Sequence, residues 1–286
     1  MSELVDDGLP TPEVGEWGEE KYRLIQLYAK LFATSMKGKW DCLVYIDLFA
    51  ASGRSQVRGT NKIIPASPLQ ALEIPDRFNQ YIFCEQDETL ITALKKRVVR
   101  DYVEVDARFI HGDSNSSVDR IIKELPQHGK QKKVLSFCFA DPSRLKDLRF
   151  STIQQLSSHF MDFLILIPTG MDATCNVPHN YIRPEDKTVD EFVGTSEWRK
   201  AWQNPDSQRM GFDVFLTKFY AQRMEKLGYR AHADEQTQLI RATDKHLPIY
   251  RLAFFSRHEL GERFWKEVRK YATPQLGLNF DPQGKP

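Results

Sequence analysis

Four carboxylates in the first half of the chain each close a short apolar run. Asp47 lies near the end of Cys42–Phe49 (CLVYIDLF), and Glu85 ends Tyr81–Glu85 (YIFCE). Asp113 follows a run within Val103–His111, and Asp141 follows Lys133–Ala140 (KVLSFCFA). Runs of this length and apolarity suit strands buried on both faces, as in a parallel sheet. Open α/β sheets bind ligands outside the carboxyl ends of their strands, where all four acids fall. There Glu85 can accept two hydrogen bonds from ribose hydroxyls. Asp113, preceded by Gly112, suits an adenine amino group and suits equally the cap of a following helix. After Asp47 the chain reads Leu48-Phe49-Ala50-Ala51-Ser52-Gly53, a small-residue turn whose backbone amides can hold an anionic group. Asp141-Pro142-Ser143-Arg144 forms a further corner, with a carboxylate at the mouth of the same site.

The elements that must position these acids are legible in the pattern. From Trp17, apolar residues recur at helical steps through Tyr22, Ile25, Tyr28 and Phe32. A Gly/Ser/Arg-rich loop is expected over Ala50–Ala66, and then a helix with Ser67 as N-cap, Pro68 at its first position and Gln70 completing a capping box. Helices are expected over Glu88–Arg100, Ser114–Leu125 and Phe150–Ser158, with a fifth strand at Asp162–Ile167. Residues 169–210 break the rhythm and read as an insertion above the sheet. A helix over Gly211–Lys226 follows. Thr237–Thr243 and Ile249–Ser256 flank the turn Asp244–Pro248 as an antiparallel hairpin, and Leu260–Tyr271 reads as a final helix. Residues 1–15 and 273–286 are expected to be flexible, with one domain over 16–272. Alternating strands and helices define an α/β fold, a mostly parallel sheet with helices on both faces.

Five parallel strands and a final hairpin match the seven-stranded, Rossmann-like sheet of the class I S-adenosylmethionine-dependent methyltransferases. The turn after Asp47 resembles the DxFxGxG loop of nucleic-acid amino-methyltransferases, in which the acid and the loop backbone hold the methionine part of the cofactor. Ala51 stands where that pattern has glycine, and its methyl is tolerated with a negative φ. The Asp141 corner resembles the D/N-P-P-aromatic motif, which takes the protons of a target amine and stacks on a flipped base. Here the second proline and the aromatic are absent.

Together, YIDLFAASGR (45–54), FCEQD (83–87), FADPSRLKDLRFSTIQQL (139–156) and YRLAFFSRHELGERFW (250–265) resemble the three-Cys-motif partner proteins of bacteria. So does GEWGEEKYRLIQLYAKLF (15–32), in which Trp17 and Lys21 match a W…K pattern. The resemblance spans about 17–270. It implies a methyltransferase-like protein with S-adenosylmethionine as cofactor, found beside an iron–sulfur, radical-SAM-like protein bearing three cysteines. By this resemblance the cofactor residues are Lys21, Asp47, Phe49, Ala51, Ser52, Gly53, Glu85 and Asp113, with Asp141 and Pro142 at the transfer site. In the late segment, Phe264 and Trp265 read either as a packed helix face or as aromatic anchors for a partner.

Composition removes several classes. Lys+Arg (40) against Asp+Glu (39) leaves a net charge of +1, without the basic excess usual in proteins that live on phosphate backbones. Lys95–Arg97 with Arg100, and Lys130–Lys133, are the two short basic clusters. The longest apolar stretches are too short to span a bilayer, and the acidic start carries no export signal. Four cysteines without cluster spacing argue for free thiols in a reducing cytoplasm, against an iron–sulfur centre in this chain. No metal-ligand spacing, GxSxG elbow or phosphate loop occurs. The leading expectation is therefore an S-adenosylmethionine-dependent methyltransferase, with nucleic acid as first substrate class. The alternatives are an accessory protein with a degenerate site and a small-molecule methyltransferase.

Overall fold

The computed structural model describes residues 4–170, 181–230, 237–241 and 248–271. The expected tail, the centre of the hairpin turn and residues 171–180 of the insertion lie outside the described residues. A two-residue strand, β1 (Glu13–Val14), precedes the long helix α1 (Trp17–Met36). Then come β2 (Cys42–Asp47), β3 (Arg54–Val57), β4 (Ile63–Pro65) and α2 (Ser67–Leu72). The next pairs are β5 (Gln80–Glu85) with α3 (Glu88–Asp101), and β6 (Ala107–His111) with α4 (Val118–Glu124). Strand β7 (Val134–Ala140), helix α5 (Phe150–Leu156) and strand β8 (Met161–Ile167) follow. Three short helices, α6 (Thr188–Val193), α7 (Trp198–Trp202) and α8 (Pro205–Arg209), occupy the described part of the insertion. The chain continues through α9 (Phe212–Glu225), β9 (Thr237–Arg241), β10 (Pro248–Phe255) and α10 (Glu259–Arg269).

Seven strands form one sheet in the order β6-β5-β2-β7-β8-β10-β9. The first five are parallel, and β10 runs antiparallel to both β8 and β9. This is the expected mostly parallel sheet with a terminal antiparallel hairpin. The period of two along each strand divides the core. Val44, Ile46, Ile82 and Cys138 face the layer of α4, α5 and α9. Tyr45, Phe83, Phe137 and Phe139 face the layer of α1, α2 and α10.

Two segments differ from expectation. The Ala50–Ala66 stretch is not all loop: β3 and β4 pair as an antiparallel hairpin, and β1 joins β3 in parallel to make a separate three-stranded sheet. Residues 13–14 are consequently held by a backbone ladder, whereas the polar, Pro-containing segment 1–15 reads as loose. Trp265 is not a surface anchor. It is 1% exposed and stacks on Phe254 with ring centroids 5.7 Å apart.

Beside Trp265 lies a buried acid. Asp162, on β8, accepts from Tyr28 Oη at 3.0 Å and hydrogen-bonds Ser256. Gly261 lets α10 approach this group, since a Cβ there would stand 2.5 Å from Ser256 Oγ and 3.1 Å from Asp162 Oδ2. Burial pushes the Asp162 carboxyl up to about 6, against the opposing pull of its Ser256 and Tyr28 bonds and of Arg257. The unfolded chain titrates there near the ordinary carboxylate value of about 3.9. The folded chain therefore holds more protons between these values, and stability falls as pH rises through that window. Asp162→Asn should reduce this slope and raise stability at pH 8 by about 2 kcal/mol. Urea unfolding at pH 4 and pH 8 measures both; an unchanged slope would mean that Asp162 carries none of it.

Candidate active site

Ladder register explains why the four acids meet. Asp47 is level with Phe83 on β5 and with Phe139 on β7, so Glu85 and Asp141 each lie two residues past its level. Glu85 is level with His111, and Asp113 again lies two residues on. Even offsets keep the side-chain parity of Tyr45, Phe83 and Phe139, the parity of the α1 face. There a crevice of about 350 Å³ opens, lined among others by Phe49, Ala51, Glu85, Asp113, Asp141 and Lys21.

The loop after β2 is organised by two carboxylates. Asp47 accepts from Phe49 N at 3.1 Å and from Tyr45 Oη at 3.3 Å. It also bonds the hydroxyl of Ser67. Ser67 is thus not the N-cap: Ala66 is, and the serine hydroxyl turns to the acid. Asp47 has no solvent exposure. Burial pushes its carboxyl up to about 7, with the Asp141 charge adding and the Ser67, Phe49 and Tyr45 bonds opposing. Glu85 works from the neighbouring strand. Its Oε2 accepts from Ala51 N and its Oε1 from Asp87 N, both at 2.9 Å. Two lone pairs per oxygen leave room for further donors.

Ala51 adopts φ +47°, outside the negative range in which its methyl would be tolerated without strain. The left-handed region favours glycine, and an L-residue there carries strain of roughly 1–2 kcal/mol. The Glu85 bond to the Ala51 amide holds this conformation. Gly53, at φ +80°, is required by packing as well: a Cβ would lie 2.7 Å from Leu94 Cδ1.

Not all of the expected residues reach the crevice. Phe49, Ala51, Glu85, Asp113, Asp141 and Lys21 line it. Asp47, Ser52 and Gly53 lie behind the loop: Asp47 and Ser52 are fully buried, and Ser52 Oγ donates to Arg54 O at 3.1 Å. These three build the turn. Pro142 is buried and is not part of the lining. Asp113 accepts from Ser116 N at 2.9 Å, capping a turn that leads into an α4 shorter than expected.

Lys21 and Asp141 form a buried pair. Nζ to Oδ2 is 2.6 Å, with side chains 8% and 18% exposed. Burial, the largest single influence, would lower the Lys21 pKa, but the charge and hydrogen bond of Asp141 together with Tyr22 and Tyr250 outweigh it, and the net shift is upward. The ammonium lies over the rings of Tyr22 and Tyr250, 4.7 and 5.8 Å from their centroids. Sequence reasoning missed Ser55, Ser114 and residues 12–14 in the lining. Ser114 Oγ is buried without a hydrogen-bond partner among the described residues. Among the described residues no His/Cys/Asp/Glu group could hold a metal ion, and no helix is long and apolar enough to cross a membrane.

No protein-family model matches the chain, and no curated protein matches it. Similar solved structures include a Legionella pneumophila protein, at 12% identity over 87% of this chain and 91% of that one, TM-score 0.49. Trm1 from Pyrococcus horikoshii with S-adenosyl-L-methionine is 10% identical over 94% and 64%, TM-score 0.46. A Bacillus cereus O-methyltransferase in complex with SAH is 9% identical over 87% and 84%, TM-score 0.45. At these values none of them assigns an activity.

Three substitutions probe its construction. Ala51→Gly should keep the fold and raise stability by about 1 kcal/mol as strain is relieved, less what glycine adds to unfolded-chain entropy. Asp141→Ala strands a buried ammonium and should cost about 3 kcal/mol, while Asp141→Asn keeps an acceptor for Lys21 and costs less. Denaturant midpoints of the three variants decide; equal losses for Asp141→Ala and Asp141→Asn would deny the pair its structural role.

Proposed function

We propose that the chain is an S-adenosylmethionine-dependent methyltransferase, with nucleic acid as the first substrate class. The observation that carries this reading is the convergence of Glu85, Asp113 and Asp141 from three strand ends on one crevice beside a loop of backbone amides. The group fits: about 350 Å³ lies in the range of small-molecule sites, and the unpartnered Ser114 hydroxyl gives the adenosine end a free polar atom.

Bound there, the cofactor supplies an electrophilic methyl group on a sulfonium. Glu85, already fixed by Ala51 and Asp87, accepts from ribose hydroxyls through its remaining lone pairs. Asp113 accepts from the adenine amine. Asp141 is aimed by Lys21, and its other oxygen is left to take a hydrogen bond from the nucleophile. Catalysis is chiefly positioning, a nucleophile held in line with the transferable methyl. The Asp141 corner carries no ring, but Phe49 is among the residues that line the same crevice.

A second reading is a non-catalytic accessory protein serving a three-cysteine iron–sulfur partner. It is favoured by the Lys21 bond that already occupies Asp141, and by the absent aromatic at the corner.

Glu85→Gln, with one acceptor oxygen replaced by a donor, should weaken S-adenosylmethionine binding by about 1–3 kcal/mol in a calorimeter. Asp141→Asn should bind within a few-fold of the parent and transfer no labelled methyl to fractionated nucleic acid. Binding by the parent without label transfer to any fraction moves the accessory reading ahead; cofactor affinity indifferent to Glu85→Gln removes the site from this crevice.

A further inference from the structure

Arg97, on α3, has no solvent exposure. Its guanidinium contacts run to the start of the chain and to the crevice loop. Nε and Nη2 grip Asp7 at 3.0 and 2.7 Å. Nη1 donates to Pro10 O at 3.0 Å and to Ser52 O at 2.8 Å. Nη2 also reaches Leu9 O at 3.1 Å and Thr11 Oγ1 at 3.0 Å. Arg54 adds an ion pair to Asp7 at 3.3 Å and a bond to Val5 O at 3.0 Å. A buried guanidinium is tolerated only when its donors are met, and here segment 7–11 supplies most of the acceptors.

The same segment leads directly into the crevice. Gln56 N donates to Pro12 O at 2.9 Å and Arg58 N to Val14 O at 2.8 Å. Pro12, Glu13 and Val14 line the cavity together with Ser55 and Tyr22, whose hydroxyls lie 3.2 Å apart. One guanidinium therefore ties the chain start to the carbonyl of Ser52, the residue next to the Ala51 amide that Glu85 holds.

We infer that residues 12–14 form a wall of the ligand site, and that Arg97 is the positioning residue that fixes this wall and the loop 50–53 relative to each other. The ligand part of this inference rests on the cofactor reading above. The segment is then a component of the site, recruited from the far end of the sequence. Loosening its grip changes ligand affinity before it changes the stability of the sheet, because β2, β5 and β7 are held by their own ladders.

The test uses full-length Asp7→Asn, which keeps the shape of the grip and removes its charge, and the milder Thr11→Val, which removes one bond. Hydrogen exchange is compared over 50–57 and over β7, and S-adenosylhomocysteine is titrated calorimetrically. The expected result is faster exchange at 50–57 with β7 unchanged, and about tenfold weaker binding for Asp7→Asn. Thr11→Val should show the same pattern, smaller, and it decides the matter if Asp7→Asn does not fold. Exchange at 50–57 equal to the parent's overturns the positioning role. Faster exchange with unchanged affinity overturns the wall. If the parent itself binds no S-adenosylhomocysteine, the cofactor reading and the wall fall together, and the exchange comparison alone decides whether Arg97 positions the loop.

Discussion

The site depends on the register of the parallel ladder. A slip of one residue between β2 and either neighbour would turn Glu85 or Asp141 to the opposite face of the sheet. That register is enforced by burial on both sides: the six residues of β2 are all buried, with Val44 and Ile46 committed to one layer and Tyr45 to the other. Hydrophobic parity far from the crevice thus fixes where its carboxylates stand. The aromatic set of Tyr45, Phe83, Phe137 and Tyr28 plays the same part for α1. Tyr28 packs 4.8 Å from Phe137, which sets the rotation of the helix that delivers Lys21 to Asp141.

Two carboxylates in this framework are treated differently. Asp47 is buried with neutral donors only, and its raised pKa makes it protonated for part of the accessible pH range. It serves as a connector between β2, the loop and α2. Asp141 is less buried and has a full cationic partner. The pair is close, shielded and flanked by tyrosine rings, so each member would be expensive to strip of the other. One acid therefore builds the turn behind the crevice and the other faces its space.

The strands, their order of appearance and the four acids were legible because each is a local pattern: an apolar run closed by a polar residue. The final hairpin was legible for the same reason. What escaped reading depends on partners distant in sequence. Ser67 has the local form of a helix cap, yet Asp47, twenty residues earlier, competes for its hydroxyl. Trp265 could have anchored a partner until Phe254 is seen beneath it. The segment 5–14 has the composition of a loose terminus, and its order comes from Arg97, about ninety residues away, and from the β1–β3 ladder. An arginine among Lys95, Lys96 and Arg100 on a charged helix gives no sign of being the buried one.

The strained turn at Ala51 follows from the same dependence on remote groups. A left-handed alanine persists only where its surroundings over-determine it. Here Glu85 takes the Ala51 amide, Arg97 takes the Ser52 carbonyl, and Leu94 and Leu69 leave no space for a side chain at Gly53. Three successive residues are thereby fixed by the end of β5, by α3 and by α2. The loop that would cradle a ligand is consequently set before any ligand arrives. Its geometry belongs to the acid of the next strand and to the helix behind it more than to its own sequence, which explains how an alanine can stand where the loop pattern has glycine.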